Sequence, residues 1–531
     1  MAIGAPSESP AIVVKEVDLS GGVPNVQSTT GAFAGSFRWG PMEQAVLVDN
    51  EATLASTFGS PDDSYAVDFL TAASFLRYSS ALQVVRTADS GALNAVDSGA
   101  GELVKNDDDW DNGTWTANIL AKHSGPLGDN LAVKIADSAG WSSWAASYKA
   151  QFDAAPTGQE THVLVLDSDG GITGTAGTVL ERYPFVSTTA GATNADGSSN
   201  YQKDVVNRGS NYIRINTAQV SGDFGLSNGA KGERTTANVS SAHDVFEDKD
   251  TIQVDFLIAP NMDSTVNQQT VVNDLVATAQ ETRKDCVVIT SPHSSSVVGN
   301  ANPVSATTTE AAGYTYSSYL FVDNNHLKVY DKYNDKYVNI PAAGATAGIM
   351  AASDANSAPW FSPAGSRRGA YLGVTSLAYT PTKSQRDTLY KAGINPIANL
   401  PGQGILLYGD KTHMNRPSAF DRINVRRLFN VVERAIALAA RNTLFELNDE
   451  FTRAEFVNIT EPFLREIKGR RGITDFRVVC DETNNTPAII DRNEFVANIF
   501  IKPARSINYI TLNFVAVRSG VDFEEVAGLQ V

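Results

Sequence analysis

The chain has 531 residues, a length that predicts three or four domains at about 150 residues each. Apolar residues make up 42% and charged residues 19%, which supplies material for packed cores and argues against general disorder. With 42 basic and 59 acidic side chains the net charge is −17, which argues against a protein that coats nucleic acid.

The first 28 residues predict an extended arm. A Ser/Pro-rich opening leads into the apolar run Ala11–Val17, and glycines and a proline follow it. This pattern predicts one short strand inside a segment without other regular structure. Its apolar side chains are Ile12, Val13, Val14 and Val17.

Two separated stretches, 29–88 and 250–380, predict one discontinuous α/β domain. In the first, apolar runs predict strands at 31–37 and 82–86 on either side of a helix at 68–78. In the second, a strand at 251–258, a helix at 263–284 and a strand at 286–289 follow one another. This order predicts a parallel pair of strands with a right-handed crossover.

Residues 89–249 predict an inserted, β-rich outer part of one or two modules. Gly, Ser, Thr, Asn and Asp dominate, and the strand candidates are short, at 131–135, 163–166 and 212–215. Four tryptophans are expected to anchor small cores, which argues against a disordered insertion: Trp110, Trp115, Trp141 and Trp144.

The region 381–519 has the clearest pattern, and 520–531 predicts a second arm. Helices are expected over 421–445 and 449–468, the second opened by the capping-box pattern Thr452–Glu455. Strands are expected at 476–480, 494–501 and 508–517. The chain as a whole therefore predicts a multidomain α+β or α/β fold, with a discontinuous α/β domain, a β-rich insertion and extended terminal arms.

Catalytic and metal-binding motifs are mostly missing. Gly404–Thr412 has a phosphate-loop spacing with one extra residue, but its Ile-Leu-Leu-Tyr interior favours a buried strand and a turn. Asp107–Gly113 resembles a calcium loop without the glycine and glutamate that such a loop requires, which favours a solvated acidic loop. The histidines are scattered and there are two cysteines, so we expect no cofactor, no metal and no enzyme activity.

Targeting and membrane signals are also missing from the sequence. Met1–Ser20 has no basic stretch followed by an apolar core, which argues against a secretory signal. The most apolar helical run, 428–440, is interrupted by Glu433 and Arg434, so no direct membrane insertion is expected.

Short blocks in the C-terminal third resemble the contractile tail sheath family of T-even-type myophages. The densest are Phe420–Phe429, Leu444–Asn448, Arg477–Asp481, Ile490–Ala497 and Pro503–Ala516. Weaker matches begin near residue 10, and the resemblance is absent from 89–245. The chain is shorter than that family's T-even-type members, and the missing length falls in this insertion.

The resemblance implies a structural subunit that stacks as homo-hexameric rings around a tail tube. The implied partners are other copies of the chain, the tail tube protein, and baseplate and tail terminator proteins. It implies assembly in the host cytoplasm and residence in the virion, in a metastable extended state that contracts to drive the tube through the host envelope. Terminal arms would add strands to neighbouring subunits, through 11–17 and through Phe523, Val526 and Leu529.

The resemblance also implies that 381–519 is a conserved inner α/β domain and that the β-rich insertion projects outward. Basic side chains supply the candidate contacts of this inner region. Residues 331–531 carry 24 basic and 21 acidic side chains, against 18 and 38 in 1–330, so the two parts are expected to face different partners. Candidate tube contacts are Lys468, Arg470, Arg471 and Arg441; the first three equally suit a solvated helix end. Candidate contacts within the inner mesh are Arg422, Arg426, Arg427, Arg492 and Arg505.

Two other function classes stay open from the sequence alone. The first is a virion surface or adhesion protein that binds a host receptor or glycan through the inserted outer domain. The second is a nucleotide-driven or hydrolytic enzyme, and it rests only on the imperfect phosphate-loop pattern.

Overall fold

The helices and strands fall into three stretches of sequence within residues 28–508, which a computed structural model describes. The first stretch holds β1 (Gly31–Gly35), β2 (Val46–Val48), α1 (Glu51–Phe58), α2 (Ala66–Leu76) and β3 (Leu82–Arg86). The insertion holds α3 (Asp107–Asn112), β4 (Ile119–Ala121), β5 (Leu131–Ala136), α4 (Ala146–Lys149), β6 (Glu160–Asp167), β7 (Thr178–Ser187), α5 (Gln202–Gly209), β8 (Ile213–Ile215), β9 (Gly222–Gly225) and α6 (Thr236–Asp244).

The third stretch runs from β10 to the last described residues. Its first half holds β10 (Phe256–Ile258), α7 (Thr265–Ala277), β11 (Val287–Thr290), α8 (Ser294–Val297), α9 (Pro303–Ala311), β12 (Leu320–Val322), β13 (His326–Asp331), β14 (Lys336–Pro341) and α10 (Ala343–Asn356). Its second half holds β15 (Ser376–Leu377), α11 (Lys383–Lys391), β16 (Ile397–Leu400), β17 (Gly404–Leu407), α12 (Ile423–Ala440), α13 (Glu450–Gly469), β18 (Ile473–Val479), α14 (Pro487–Ile490) and β19 (Asn498–Pro503).

A six-stranded sheet brings together strands from both sides of the insertion, in the order β12-β11-β10-β1-β3-β2. The first five strands run parallel, and β2 pairs antiparallel at one edge. The predicted parallel pair is confirmed, since Leu257 of β10 lies opposite Val288 of β11. Alternate side chains of these strands enter two separate cores, as Phe33 and Ala34 do, because helices cover both faces of the sheet.

The insertion has a core of its own around the sheet β7-β6-β5-β9. The three predicted strands are present as β5, β6 and β8. Trp110 stacks on Trp115, and Trp141 lies against Trp144 and Phe152, so the tryptophans anchor small aromatic clusters as predicted.

Several sequence predictions need correction. Residues 107–112 form a short helix rather than a loop, because the Asn106 side chain accepts a hydrogen bond from the Asp109 amide and Trp110 is buried. The helix predicted at 449–468 is capped by Asp449, whose side chain accepts from the Thr452 amide, and not by Thr452. The strand predicted at 251–258 begins only at Phe256, and the helix predicted to reach 445 leaves α-helical geometry after Ala440.

Some predicted elements lie outside the described residues. These are the strand at 11–17, the arm at 520–531 and all but the first residue of the strand at 508–517.

Candidate functional site

Helix α12 carries a row of arginines that joins the C-terminal region to the six-stranded sheet. This arginine seam consists of Arg422, Arg426, Arg427, Arg434 and Arg441, from the residue before α12 to the residue after it. Arg426 and Arg427 are almost completely buried, which is rare for charged side chains unless they have partners. Each guanidinium of the seam contacts a polar or aromatic group from another part of the chain.

Arg427 forms a buried ion pair with Asp354 of α10. Its guanidinium also donates to the Met350 carbonyl at 3.3 Å and lies 5.1 Å from the Phe256 ring centroid. Burial raises the pKa of Asp354 to about 7, although the nearby Arg427 opposes this change. The pair therefore fixes α12 against the sheet and α10, at the expense of desolvating both charges.

Arg434 extends the seam to the amino ends of β10 and β11. Its guanidinium donates to Asp255 at 2.6 Å and lies 3.3 Å from a carboxylate oxygen of Asp285. It also donates to the carbonyls of Val254 and Asp285, at 3.0 and 2.9 Å. Sequence reasoning did not select Arg434, although its spacing of seven from Arg427 places both on one face of a helix.

The first part of the seam contacts aromatic groups. Arg426 donates to the Tyr319 hydroxyl at 2.9 Å and lies over the rings of Tyr319 and Phe420, at 4.3 and 4.0 Å. Arg422 donates to the Tyr390 hydroxyl at 2.8 Å and lies 3.5 Å from Asp410. These contacts occupy both arginines inside the chain, so the inner-mesh role predicted for Arg422, Arg426 and Arg427 stays a prediction.

The β18–β19 hairpin is a two-stranded sheet with open edges. Within residues 28–508 the two strands pair only with each other, so each has an outer edge without a neighbour. Along β19 the side chains alternate between exposed and half-buried, and the exposed set includes Phe500, at 58% exposure. Unpaired strand edges are templates on which another strand can be added.

The link between α12 and α13 exposes a group of large apolar side chains. This apolar link consists of Leu444, Phe445, Leu447 and Phe451, and all four are mostly or fully exposed. Phe445 has a backbone φ of 71°, a left-handed conformation that bulky residues rarely adopt. Asn448, in the middle of the link, donates to the Glu494 carbonyl at 2.8 Å, which places the link beside the segment leading into β19. Exposed apolar groups of this kind mark surfaces that other chains cover.

The basic cluster after α13 is exposed and only loosely paired. Lys468 lies 3.1 Å from Asp475, and Arg470 lies 3.5 Å from Glu466 and 4.9 Å from the Trp360 ring centroid. Arg471 is exposed with a φ of 66°, the conformation that ends a helix. This geometry suits both a helix end and a tube contact.

Arg441, at the exposed end of the seam, and the remaining predicted site residues lie at the surface or outside the described part of the chain. Arg441 is exposed and pairs with Asp250, and Arg492 is exposed and pairs with Glu494 at 2.8 Å. Arg505 is exposed near the end of the described chain. The predicted arm residues lie outside the described part: Ile12, Val13, Val14, Val17, Phe523, Val526 and Leu529.

The segment 404–412 begins with a strand, as predicted, but no turn follows it in residues 408–412. Gly404–Leu407 is β17, and the Lys411 ammonium donates to the Tyr390 carbonyl at 2.7 Å. Asp410 is buried and accepts from Ser362 at 3.0 Å and from Ser506 at 2.8 Å. The lysine and aspartate of the imperfect phosphate loop are thus bound to their own chain.

The described part of the chain contains no group of three or more His, Cys, Asp or Glu side chains placed to hold a metal ion. Among the same residues, no helix combines the length and the apolar character needed to span a bilayer.

Family models match more than half of the chain. The phage tail sheath protein central domain matches residues 232–413, and the phage tail sheath C-terminal domain matches residues 415–516. The boundary between the two lies just before α12, so the arginine seam joins the two matched regions.

Sequence relatives extend this similarity over nearly the whole chain. The tail sheath protein of Enterobacteria phage T4 is 32% identical over 655 aligned residues, which cover 98% of this chain and 99% of that protein. The tail sheath protein of Vibrio phage KVP40 is 31% identical, with the same coverage of 98% and 99%. The chain belongs to the phage tail sheath family and is a structural protein of contractile tail sheaths.

Solved structures share the fold at lower sequence identity. The sheath tail protein of Listeria innocua aligns with a TM-score of 0.59 at 13% identity, over 91% of this chain and 94% of that one. The helical sheath of the anti-feeding prophage in its contracted state aligns with a TM-score of 0.54 at 13% identity, over 96% and 99%.

Proposed function

We propose that this chain polymerises as stacked hexameric rings around a tail tube and stores an extended state that contracts to drive the tube through the host envelope. The β18–β19 hairpin carries this proposal, because its two outer edges have no strand partner among residues 28–508 and so give other copies a place to add strands. The relatives' names and the contracted helical sheath of the anti-feeding prophage support it.

The terminal segments are the proposed donors of these strands. Residues 11–17 and 520–531 carry apolar side chains suited to strand addition, and both lie outside the described range 28–508. The exposed apolar link, beside the segment leading into β19, would be covered in the same assembly. Contacts made by added strands keep subunits connected while their rigid bodies move, as contraction requires.

The proposed layout places 381–519 next to the tube and 89–249 on the outside. The region 29–88 with 250–380 would lie between them. The basic cluster Lys468, Arg470 and Arg471, with Arg441, would touch an acidic tube surface. Baseplate and tail terminator proteins would bind the two ends of the sheath, which assembles in the host cytoplasm.

Deletion of residues 1–17 tests the strand donors. We expect a folded protein by circular dichroism that fails to form hollow striated tubes in negative-stain electron microscopy. Deletion of residues 1–9, which retains the apolar run, is the matched control and should still polymerise. Tubes formed by the longer deletion, or loss of folding, would contradict the role of the arm.

Changing Lys468, Arg470 and Arg471 together to Glu tests the tube contact. We expect normal polymers of the chain alone but weak co-assembly with tail tubes. Arg465→Glu, a single exposed change on the same helix, is the control. Normal co-assembly of the triple variant would exclude this surface as the tube contact.

One observation favours the alternative, a virion surface protein that binds a host glycan through 89–249. A cleft of about 450 Å³ lies between the insertion and the first stretch of the chain, and basic side chains line it.

A further inference from the structure

The cleft has two chemically different walls. The segment after β1 and the last turn of α1 form one wall, which includes Arg38, Trp39 and Thr57. Loops of the insertion form the other wall, which includes Lys122, His123 and Tyr212. Its volume of about 450 Å³ and its position between two structural units are typical of small-molecule sites.

The two cations of the cleft are weakly paired, although the surrounding insertion is acidic. Lys122 donates to the Ser210 carbonyl at 2.7 Å, and among the described residues no carboxylate lies within ion-pair distance of it. Burial lowers the pKa of Lys122, as expected for a half-buried ammonium without a paired anion. Arg38 lies 3.8 Å from Asp62, near the outer limit of an ion pair. An anionic group placed between Lys122 and Arg38 would therefore gain charge-assisted hydrogen bonds.

Two acidic groups act on Lys122, and both already have partners within the chain: Asp107 pairs with Arg214, and Glu181 accepts two hydrogen bonds. Glu181 accepts from the Asn211 amide at 2.8 Å and from the Tyr183 hydroxyl at 2.9 Å. Its two oxygens are thus held by its own module, and Lys122 keeps its capacity for an external carboxylate.

His123 lines the cleft as a largely buried ring. The residue is only 8% exposed, and its ring lies edge-on to Trp39 at 5.1 Å. Its Nδ1 is buried without a hydrogen-bond partner among the described residues. Because this atom has almost no accessible surface, His123 contributes ring surface to the cleft and no hydrogen bond to a ligand.

The other wall suits a ligand rich in hydroxyl groups. The carbonyl of Phe58, the last residue of α1, already accepts from the Trp39 amide at 2.9 Å, but the hydroxyl residues Ser56, Thr57 and Ser60 line the cleft. These hydroxyls can exchange hydrogen bonds with sugar hydroxyls, and a carboxylate can bond to Lys122 and Arg38. An acidic sugar carries hydroxyl groups and a carboxylate on a single ring, so it can form both kinds of contact.

We propose that this cleft binds an acidic sugar, with the carboxylate of a uronic or sialic acid unit between Lys122 and Arg38. This inference rests on the alternative function of the insertion. Its failure would leave the sheath proposal intact, because the hairpin and arms are tested separately by tube formation.

Titration of the full chain with D-glucuronate tests the proposal, by saturation-transfer NMR and calorimetry. We expect glucuronate to bind and D-glucose to bind much more weakly. Lys122→Gln and Arg38→Gln should each weaken glucuronate binding at least about tenfold, as loss of a charge-assisted hydrogen bond does. Lys122→Arg should retain binding, and Lys249→Gln, an exposed lysine outside the cleft, should leave it unchanged.

Three results would overturn the proposal. They are no glucuronate binding by the native chain, equal binding of glucose, and glucuronate affinity unchanged in both glutamine variants. Equal affinity for an acetylated, amidated aspartate would also overturn it, because the site would then recognise a carboxylate and not a sugar. Circular dichroism of each variant separates loss of binding from loss of folding.

Discussion

The central strands of the six-stranded sheet bury their apolar side chains, whereas the β18–β19 hairpin and the neighbouring apolar link leave large apolar side chains exposed. In the sheet, the central strands are buried on both faces by helices of the same chain. In the hairpin and the neighbouring apolar link, large side chains such as Phe500 and Phe445 are exposed, and the outer strand edges have no partner within the described part of the chain. The sheet is complete within one chain, whereas the C-terminal surface has the composition of an interface still to be covered.

The largest expected effect is a change in the free energy of unfolding, and it is tested by comparing two phenylalanines that differ in burial. Phe321→Ala in β12 removes a fully buried ring and should lower the free energy of unfolding by about 3–5 kcal/mol. Phe500→Ala in β19 should change it by less than about 0.5 kcal/mol, because the ring is already exposed. Urea unfolding of the monomer, followed by circular dichroism, measures both changes.

In polymerisation, Phe500→Ala should have the larger effect of the two variants. Phe500→Ala should slow polymerisation measured by light scattering, although the monomer is as stable as the native one. A large loss of monomer stability in Phe500→Ala would show that the hairpin is part of the chain's own core, and the contrast between the two regions would fail.

The second prediction tests the seam that joins the two regions. Arg427→Ala leaves Asp354 buried without its partner and should cost about 3–5 kcal/mol of unfolding free energy. Arg470→Ala, which removes an exposed pair with Glu466, should cost less than about 1 kcal/mol. The joint change Arg427→Met and Asp354→Leu should restore most of the loss, since no uncompensated charge stays buried. If the joint change were as harmful as the single one, packing rather than charge would explain the effect.

Four of the six strands of the sheet were predicted because their signal is local, whereas β2 and β12, of three residues each, were not predicted. The strands at 82–86 and 286–289 are short apolar runs, and the helix between β10 and β11 has helical periodicity. The order strand, helix, strand then limits the topology to a parallel pair. Capping was less predictable, because Asp449 and Thr452 both have suitable side chains and only the backbone geometry chooses between them.

The contacts of the seam were not predictable from one sequence. Arg427 pairs with Asp354, 73 residues earlier, and Arg434 with Asp255, 179 residues earlier. The chain has 59 acidic side chains, and no local pattern marks the few that the fold brings to α12. In the sequence, the apolar link is recognisable only as an apolar stretch. The spacing of its apolar residues does not show whether other chains cover it.

The third prediction concerns pH and the buried carboxyl of Asp323, directly after β12. Burial raises its pKa to about 7, although hydrogen bonds from the Asn325 amide and the Ser291 hydroxyl oppose this change. The folded state therefore holds a proton that the unfolded chain releases near pH 4, so this stabilisation is lost as pH rises from about 4 to about 7. The difference amounts to as much as about 4 kcal/mol.

Asp323→Asn isolates this contribution. The variant should lose less unfolding free energy than the native chain between pH 5 and pH 7.5, measured by urea unfolding at each pH. Asp196→Asn, at an exposed loop position, is the control and should retain the native pH dependence. Equal slopes in the native chain and Asp323→Asn would show that Asp323 is ionised in the folded protein throughout this range.

The smallest expected effect is that of Phe445→Gly, which should stabilise the monomer but weaken polymerisation. Phe445 is fully exposed and holds a left-handed backbone, so Phe445→Gly removes a strain of about 1 kcal/mol and no buried surface. The monomer should gain about that much stability in urea, whereas polymerisation should weaken because a large apolar contact is lost. Phe451→Ala, a change at a largely exposed position on α13 with ordinary helical geometry, should also weaken polymerisation but should change monomer stability by less than about 0.5 kcal/mol. Unchanged polymerisation in both variants would mean that the apolar link faces solvent in the sheath as well, and the interface would then be limited to the strand edges of the hairpin.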